Sequence, residues 1–336
     1  MSWDSPKVWI IGGSGALGAT IGALARAAWP EAPSPLLIGR SPAPPSNGRA
    51  HLHFHVKGAN QSLIPAEPFT FPYWMIGDPQ LRSIPSPDLV ILSVKSHQLD
   101  LVIENLRPLS PYLTPSTGFL VVGNGLGIWN KWTQAFPQWS TRTSRATCWF
   151  GARWISPGEL GVAGLAPVEL AGSAARPWVE TTWQPIRALH PTHYHWLGER
   201  PEDAEVAEWR KTIWNGSMNP VFGLAGVTNG EGARNPELMH QVQELVAEML
   251  RVANAHGINS LGSAQEWTEK IRNAALQTGA NLNSMGVDLK LNRQTEIDAL
   301  NGEVIRKGAA LGVPTPHCER VLKQIFERSQ KTLLHS

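Results

Sequence analysis

"VWIIGGSGALG", residues 8–18, is the stretch on which the fold turns. Four apolar residues, Val8 to Ile11, run straight into glycine. A helical pattern follows from Ala16 to about Ala28, and a second short apolar run, Leu36 to Ile38, ends at Gly39-Arg40. A brief apolar run that stops at glycine reads as a buried strand. Strand, glycine turn, helix, strand is the opening of a βαβ unit. Gly13-Ser14-Gly15-Ala16-Leu17-Gly18 fits GxGxxG. The first glycine is expected to make the tight turn, the second to let a pyrophosphate approach the backbone, and the third to let the helix pack on the strand. The helix N-terminus adds a preference for negative charge. The motif alone is weak; here it follows a strand and opens a helix, which is the context it requires. A dinucleotide site is therefore expected at residues 13–18.

The bulk numbers agree with a globular enzyme-sized chain. It has 336 residues, enough for two domains with real cores. Hydrophobic residues make up 42% and charged residues 17%, which excludes a disordered chain. The net charge is +2, with 29 Lys and Arg against 27 Asp and Glu and no basic run, so nucleic acid is not the expected partner. No stretch approaches twenty continuous apolar residues, so no membrane span is expected. The N-terminus runs directly into a strand pattern, so no signal peptide is expected. Cys148 and Cys318 lie far apart and read as reduced thiols, which suits a cytoplasmic protein. Fifteen tryptophans are many, with packing the only account that the sequence offers.

Further strands are expected at Asp88–Val94, Phe119–Val122 and about Arg145–Phe150, with a helix from about His97 to Arg107. The stretch 158–172 alternates like an antiparallel hairpin, and a helix and a last strand near His195–Leu197 would close the sheet. Residues 41–87, rich in Pro, His and Ser, resist assignment. From about Pro201 long helical patterns take over, at 202–218, 235–256, 264–278, 294–311 and 315–332. Gly312 and Pro314 mark the end of the fourth. The expected fold class is α/β: a Rossmann-type dinucleotide-binding domain over residues 1–200, then an all-α domain over 201–336.

Several residues have the chemistry for a site. Arg40 ends the second strand, where an acid would hold the ribose 2′-hydroxyl of NAD; arginine suits the 2′-phosphate of NADP instead. Lys95 follows the third strand at the sheet edge that faces ligands, though a solvated lysine is an equal reading. Asn124, in "GNGLG", ends a strand at the same edge; an Asn-Gly pair is more often only a turn. Lys211, Asn215 and Asn219 recur at steps of four in "WRKTIWNGSMNP", so they share one helix face. A solvated polar stripe is the plain alternative, but the segment after Lys211 is poor in charge. Buried amides need partners, which a polar ligand would supply. Asn281, Ser284 and Glu296 cluster in "NLNSMGVDLKLNRQTEID". His51, His53 and His55 alternate as on one strand face. Zinc is weighed there and set aside, because no cysteine or acidic ligand is near in sequence.

Taken in order, "IIGGSGALG", "DLVILSVKSHQ", "VVGNGLG", "WRKTIWNGSMNPVFGL", "TNGE", "NSMGVDLKLNRQTEIDALNG" and "GVPTP" resemble the ketopantoate reductase family, and they span nearly the whole chain. The resemblance implies an NADP-binding Rossmann domain and a helical C-terminal domain that reduce a small 2-oxo acid, ketopantoate, for pantothenate and coenzyme A synthesis. It places Lys211 as the proton donor and Asn215, Asn219, Asn229, Asn281 and Ser284 as substrate-binding residues. It places Glu296 at the nicotinamide end of the cofactor and the active site, Lys95 and Asn124 as cofactor contacts, and Arg40 on the 2′-phosphate. Residues 41–87 and the Trp-rich region 129–154 do not match cleanly. Monomer and homodimer stay open. Two alternatives also stand: a paralogue reducing another branched 2-oxo acid, and a non-catalytic NADP-sensing regulator. Lys211 and Glu296 together speak against the latter.

Overall fold

The structure is a computed structural model that describes residues 7–39, 49–57, 68–163, 168–172 and 194–333. The chain divides into two compact units. One holds Met1–Gly123 and Ile128–Ala207; the other holds Asn124–Gly127 and Glu208–Ser336.

The first unit is Rossmann-type. Strands β1 (Val8–Ile11), β2 (Leu36–Gly39), β4 (Phe69–Met75), β5 (Leu89–Ser93), β6 (Gly118–Val122) and β7 (Thr143–Cys148) are parallel, in the order β7-β6-β5-β1-β2-β4. β1, β2, β5 and β6 are buried at every residue, as continuous apolar runs in a sheet covered on both faces should be. Helix α1 (Ala16–Ala28) joins β1 to β2 by the expected crossover. Helices α2 (Leu99–Leu106) and α3 (Ile128–Ala135) follow β5 and β6. Strand β3 (Arg49–Lys57) pairs antiparallel with β4 and parallel with β9 (Glu159–Ala163), which turns back on β8 (Gly151–Ser156). At the other edge, β10 (Val168–Ala171) pairs antiparallel with β7 and parallel with β11 (Tyr194–Gly198). The hairpin expected over 158–172 is thus corrected. Its two arms, β9 and β10, lie at opposite ends of the sheet, and β9 finds its hairpin partner upstream in β8. The helix expected between residue 172 and His195 lies outside the described residues.

Two of the tryptophans now have a physical account. Trp132 and Trp139 pack with Phe119 and Phe136 into one aromatic cluster, with Phe119 and Trp139 stacked at 4.4 Å and Phe136 and Trp139 at 4.3 Å. The Trp132 indole N–H donates to Thr143 Oγ1 at 3.1 Å, so its polar edge is satisfied inside the core.

Long helices make up the second unit, as the pattern predicts. Helix α4 (Pro201–Ala225) contains the division between units. It is followed by α5 (Asn229–Arg234), α6 (Pro236–Ala255), α7 (Ala264–Gln277), α8 (Ser284–Lys290), α9 (Glu303–Leu311) and α10 (Pro316–Leu333). The single helix expected over 294–311 is instead a π turn at Asp298–Gly302 running into α9. Gly312 closes α9 at φ 69°, where the sequence placed the stop. Met285, Leu289, Ile297, Leu300 and Ile325 form a core cluster beside α4. Among the described residues, no helix is long and apolar enough to cross a membrane.

Candidate active site

The glycine loop is built by exclusion of side chains. Gly12 sits at φ 91°, and a Cβ there would fall 2.0 Å from the Ser93 carbonyl oxygen. The tight turn therefore rests on Gly12, not on Gly13 as the motif suggests. Gly13 is needed for a different reason: its Cβ would lie 2.7 Å from that of Leu37. A Cβ on Gly18 would lie 2.4 Å from the Gly12 carbonyl oxygen, so this glycine does set helix against loop. Gly15 is the N-cap of α1, in extended backbone, with no capping side chain; the first turn, which begins at Ala16 and Leu17, carries no acid. Bare backbone, uncapped N–H groups and no competing negative charge fit the pyrophosphate of a dinucleotide. The Ser14 side chain is hydrogen-bonded to the Tyr73 hydroxyl, whose ionisation burial pushes up. Trp154 donates its indole N–H to the Ser14 carbonyl at 3.2 Å.

Arg40 lies outside the described residues. Lys95 is half-buried and caps the short turn Ser96–Gln98 just past β5. Just beyond β6, the Asn124–Gly127 segment belongs with the helical unit. Asn124 donates to Glu296 Oε2 at 3.2 Å, Leu126 N–H to the Ala299 carbonyl at 3.0 Å, and Gly127 N–H to Glu208 Oε2 at 3.1 Å. Gly125 has φ 102°, and a Cβ there would lie 2.6 Å from the Ala299 oxygen. Asn124 is thus more than a turn residue: it holds the half-buried Glu296 carboxylate.

Lys211, Asn215 and Asn219 are 8%, 8% and 4% exposed, which rules out a solvated stripe. The row precedes Pro220, which lies inside α4. Proline has no N–H, so the carbonyl four residues earlier, that of Gly216, loses its helical partner. Asn301, fully buried on the π turn, donates to that carbonyl at 3.0 Å and replaces the missing bond. The row is thereby fixed to the segment that carries Glu296. Where α4 passes α8, Gly223 and Gly286 meet closely, a Cβ on Gly223 falling 3.3 Å from the Gly286 nitrogen. That approach brings Ser284 Oγ to 3.5 Å from the Asn219 amide.

Asn229 is buried on α5. Its N–H donates to the Asn281 carbonyl at 2.8 Å and its amide to Thr278 Oγ1 at 3.0 Å, while its Oδ1 is buried with no protein donor among the described residues. The Asn281 and Ser284 side chains are on the exposed side of this group. In "TNGE", Thr228 and Glu231 form a capping box: Glu231 Oε2 accepts from Thr228 N–H at 2.8 Å and Glu231 N–H donates to Thr228 Oγ1 at 3.4 Å. The hydrogen bonds that its carboxylate accepts from the Thr228 N–H and hydroxyl hold the Glu231 carboxyl below the usual carboxylate range.

Three supporting residues were not singled out in the sequence. They are Asn301, Glu208 and Arg145. Arg145 is fully buried and donates to the carbonyls of Val121 at 3.1 Å and Gly123 at 2.8 Å, clamping the end of β6. A proline inside a helical pattern was the one usable signal, since its orphaned carbonyl calls for a donor.

Comparison with known proteins finds one family in both halves. The family model described as "Ketopantoate reductase PanE/ApbA" matches residues 9–174, and that described as "Ketopantoate reductase PanE/ApbA C terminal" matches residues 203–328. The chain is similar to the 2-dehydropantoate 2-reductase of Aquifex aeolicus (strain VF5), 27% identical over 253 residues, covering 71% of this chain and 76% of that protein. Among solved structures, it is similar to 2-dehydropantoate 2-reductase from Geobacter metallireducens GS-15, with a TM-score of 0.77 and 20% identity over 96% of this chain and 99% of the other. A D-mandelate dehydrogenase solved with NADH and anilino(oxo)acetate matches with a TM-score of 0.75 and 20% identity over 97% and 99% of the two chains. With both of its halves matched by models of one oxidoreductase family, and its glycine loop shaped for a dinucleotide, the chain belongs to the ketopantoate reductase family.

Proposed function

We propose that this protein is a cytoplasmic NADPH-dependent 2-dehydropantoate 2-reductase that makes pantoate for pantothenate and coenzyme A synthesis, with Lys211 as proton donor. The observation that carries this reading is the buried Lys211–Asn215–Asn219 row, with Ser284 against its last member. NADPH, when bound, supplies the hydride. The chain's own residues then have three tasks. Lys211 faces the negative charge that develops on the ketone oxygen, stabilises it and hands over a proton. Asn215, Asn219 and Ser284 orient the 2-oxo acid through neutral groups that add no charge to compete with its carboxylate. Asn229 and Asn281, joined through their backbone, complete the substrate contacts. Glu296, held by Asn124, serves the nicotinamide end. Gly13–Gly18 would hold the pyrophosphate, Lys95 a further part of the cofactor, and Arg40 the 2′-phosphate.

The test is NADPH oxidation across a panel of 2-oxo acids that includes ketopantoate. The highest kcat/KM is expected for ketopantoate. A higher value for another branched 2-oxo acid moves the substrate assignment while keeping the chemistry. No turnover with any of them sinks the enzymatic reading and leaves the NADP-sensing one.

A further inference from the structure

The histidine-rich strand β3, set aside for want of an acidic ligand in sequence, acquires one in the fold. β3 runs parallel to β9 in a register that places His53 beside Glu159 and His55 beside Gly161. Registered neighbours in a sheet point to the same face, and alternation puts His53 and His55 on that face together. Gly161 has no side chain, so the Glu159 carboxylate reaches both rings: Oε2 is 3.3 Å from His53 Nδ1 and is also bonded to His55 Nε2. The two imidazoles lie 4.7 Å apart, tilted by 51°. One ligand atom from each of the three residues can be chosen so that all lie within 4.8 Å of one another.

Zinc binds imidazole nitrogen and carboxylate oxygen at about 2.0–2.2 Å, so two ligands of a tetrahedral ion sit roughly 3.3–3.5 Å apart. The His53–Glu159 separation already has that value. Two imidazoles and a carboxylate suit Zn²⁺ and its first-row neighbours better than Mg²⁺ or Ca²⁺. The three side chains are only partly covered, at 37%, 47% and 36% exposure, so water can complete the coordination and the ion has an open path. His51, on the same strand face, is turned to Thr70 Oγ1 at 3.0 Å, and Arg153 of β8 approaches Gly161 from the other side.

We propose that His53, His55 and Glu159 form a surface site for a divalent first-row transition ion such as Zn²⁺, which staples the β8–β9 hairpin to β3. The staple closes a contact between residues 104 apart in sequence, on the hairpin that also reaches the glycine loop through Trp154.

Zn²⁺ alone, titrated calorimetrically into the tag-free, metal-stripped full-length chain, tests this. One ion per chain is expected, with a Kd in the micromolar range. His55→Ala and Glu159→Gln should each weaken binding by roughly tenfold or more, since even outer-shell losses cost 10–100-fold. His51→Ala should leave it unchanged. Saturating Zn²⁺ should raise Tm by about 3–6 °C, and a His53→Ala/His55→Ala variant should lose that shift. Co²⁺ should give tetrahedral visible bands without thiolate charge transfer, because Cys148 and Cys318 are both buried. Equal Zn²⁺ uptake by the wild type and the double variant overturns the site, as does no uptake by the wild type. In either case the three residues are only a surface ion pair.

Discussion

The helix starts at Gly15 and Thr228 meet the same need in opposite ways. Every helix begins with N–H groups that have no helical partner. At α5, Thr228 and Glu231 satisfy them reciprocally, and Ser263 with Glu266 repeats the device at α7. At α1 no side chain does so, and the glycines before it are placed where a Cβ would strike backbone. In the helical unit, N-cap side chains close α5, α6, α7 and α8. In the sheet unit α1 starts bare, and bare backbone next to a positive dipole end is a seat for an anion from outside. The role proposed for α1 therefore lies in atoms that are missing, whereas that proposed for α4 lies in the side chains of Lys211, Asn215 and Asn219.

That contrast can be broken at several points. The largest effect is expected from Gly12→Ala, whose new methyl meets the Ser93 oxygen at a backbone angle that suits only glycine. A cost above about 4 kcal/mol should show as loss of soluble folded protein or a collapse in Tm. Lys211→Ala should lower kcat by about 10²–10⁴-fold while leaving NADPH affinity nearly intact, the range general acid catalysis supplies; a kcat within a few-fold of wild type removes the proton-donor role. Asn219→Ala, in the same assays, should raise KM more than it lowers kcat. Gly15→Ala sharpens the comparison, because Gly15 has ordinary extended dihedrals and its Cβ would sit 3.2 Å from the Gly12 oxygen, a tight contact but far short of the 2.0 Å overlap at Gly12. Its Tm should hold while NADPH affinity drops about tenfold, the scale of a lost charged hydrogen bond of about 1.5–3 kcal/mol, and Arg40→Asp should lose as much for NADPH but not for NADH. Unchanged fluorescence titrations would mean that neither residue meets the cofactor.

The smallest effects belong to the closed helix starts. Thr228→Ala should cost about 1 kcal/mol, read as a Tm lower by a few degrees, with NADPH affinity unchanged. The carboxyls of Glu231 and Glu266 titrate below their usual range because each accepts hydrogen bonds from its N-cap residue. Their contribution to stability is therefore full above the ordinary value of about 4.3 and fades as the pH falls through the depressed values. A Glu231→Gln/Glu266→Gln variant should show a shallower loss of Tm below that pH; an unaltered slope would remove these two groups from acid unfolding.

Local signals carried far in this sequence. Apolar runs and glycines gave the parallel sheet, helical periodicity gave the second unit, and Gly312 ended α9 where expected. The spacing of Lys211, Asn215 and Asn219 gave their common face. What periodicity cannot reveal is the identity of a distant partner. The alternation over 158–172 gave two strands correctly, but a period of two does not say with which strand each will pair. For the same reason Glu159 was invisible beside the histidines, and Glu208 beside Gly127. Short α5 and α8 lack the turns needed for a clear helical period. Of the site, the polar row and the glycine loop were legible, whereas Asn301, Arg145 and Glu208 act through carbonyls or N–H groups that every residue has.

The Asn301 bridge has a mechanical consequence. An internal proline removes one spring from a helix and makes the turn before it the softest place to bend. In α4 that place lies within the polar row, between Asn215 and Asn219. The side-chain amide of Asn301 restores the spring from outside the helix, and it is anchored on the turn that follows Glu296. Flexing of α4 and displacement of that turn are then not two independent motions but one. Whatever stiffens the Glu296 segment also sets the aim of the amine and amides on the helix.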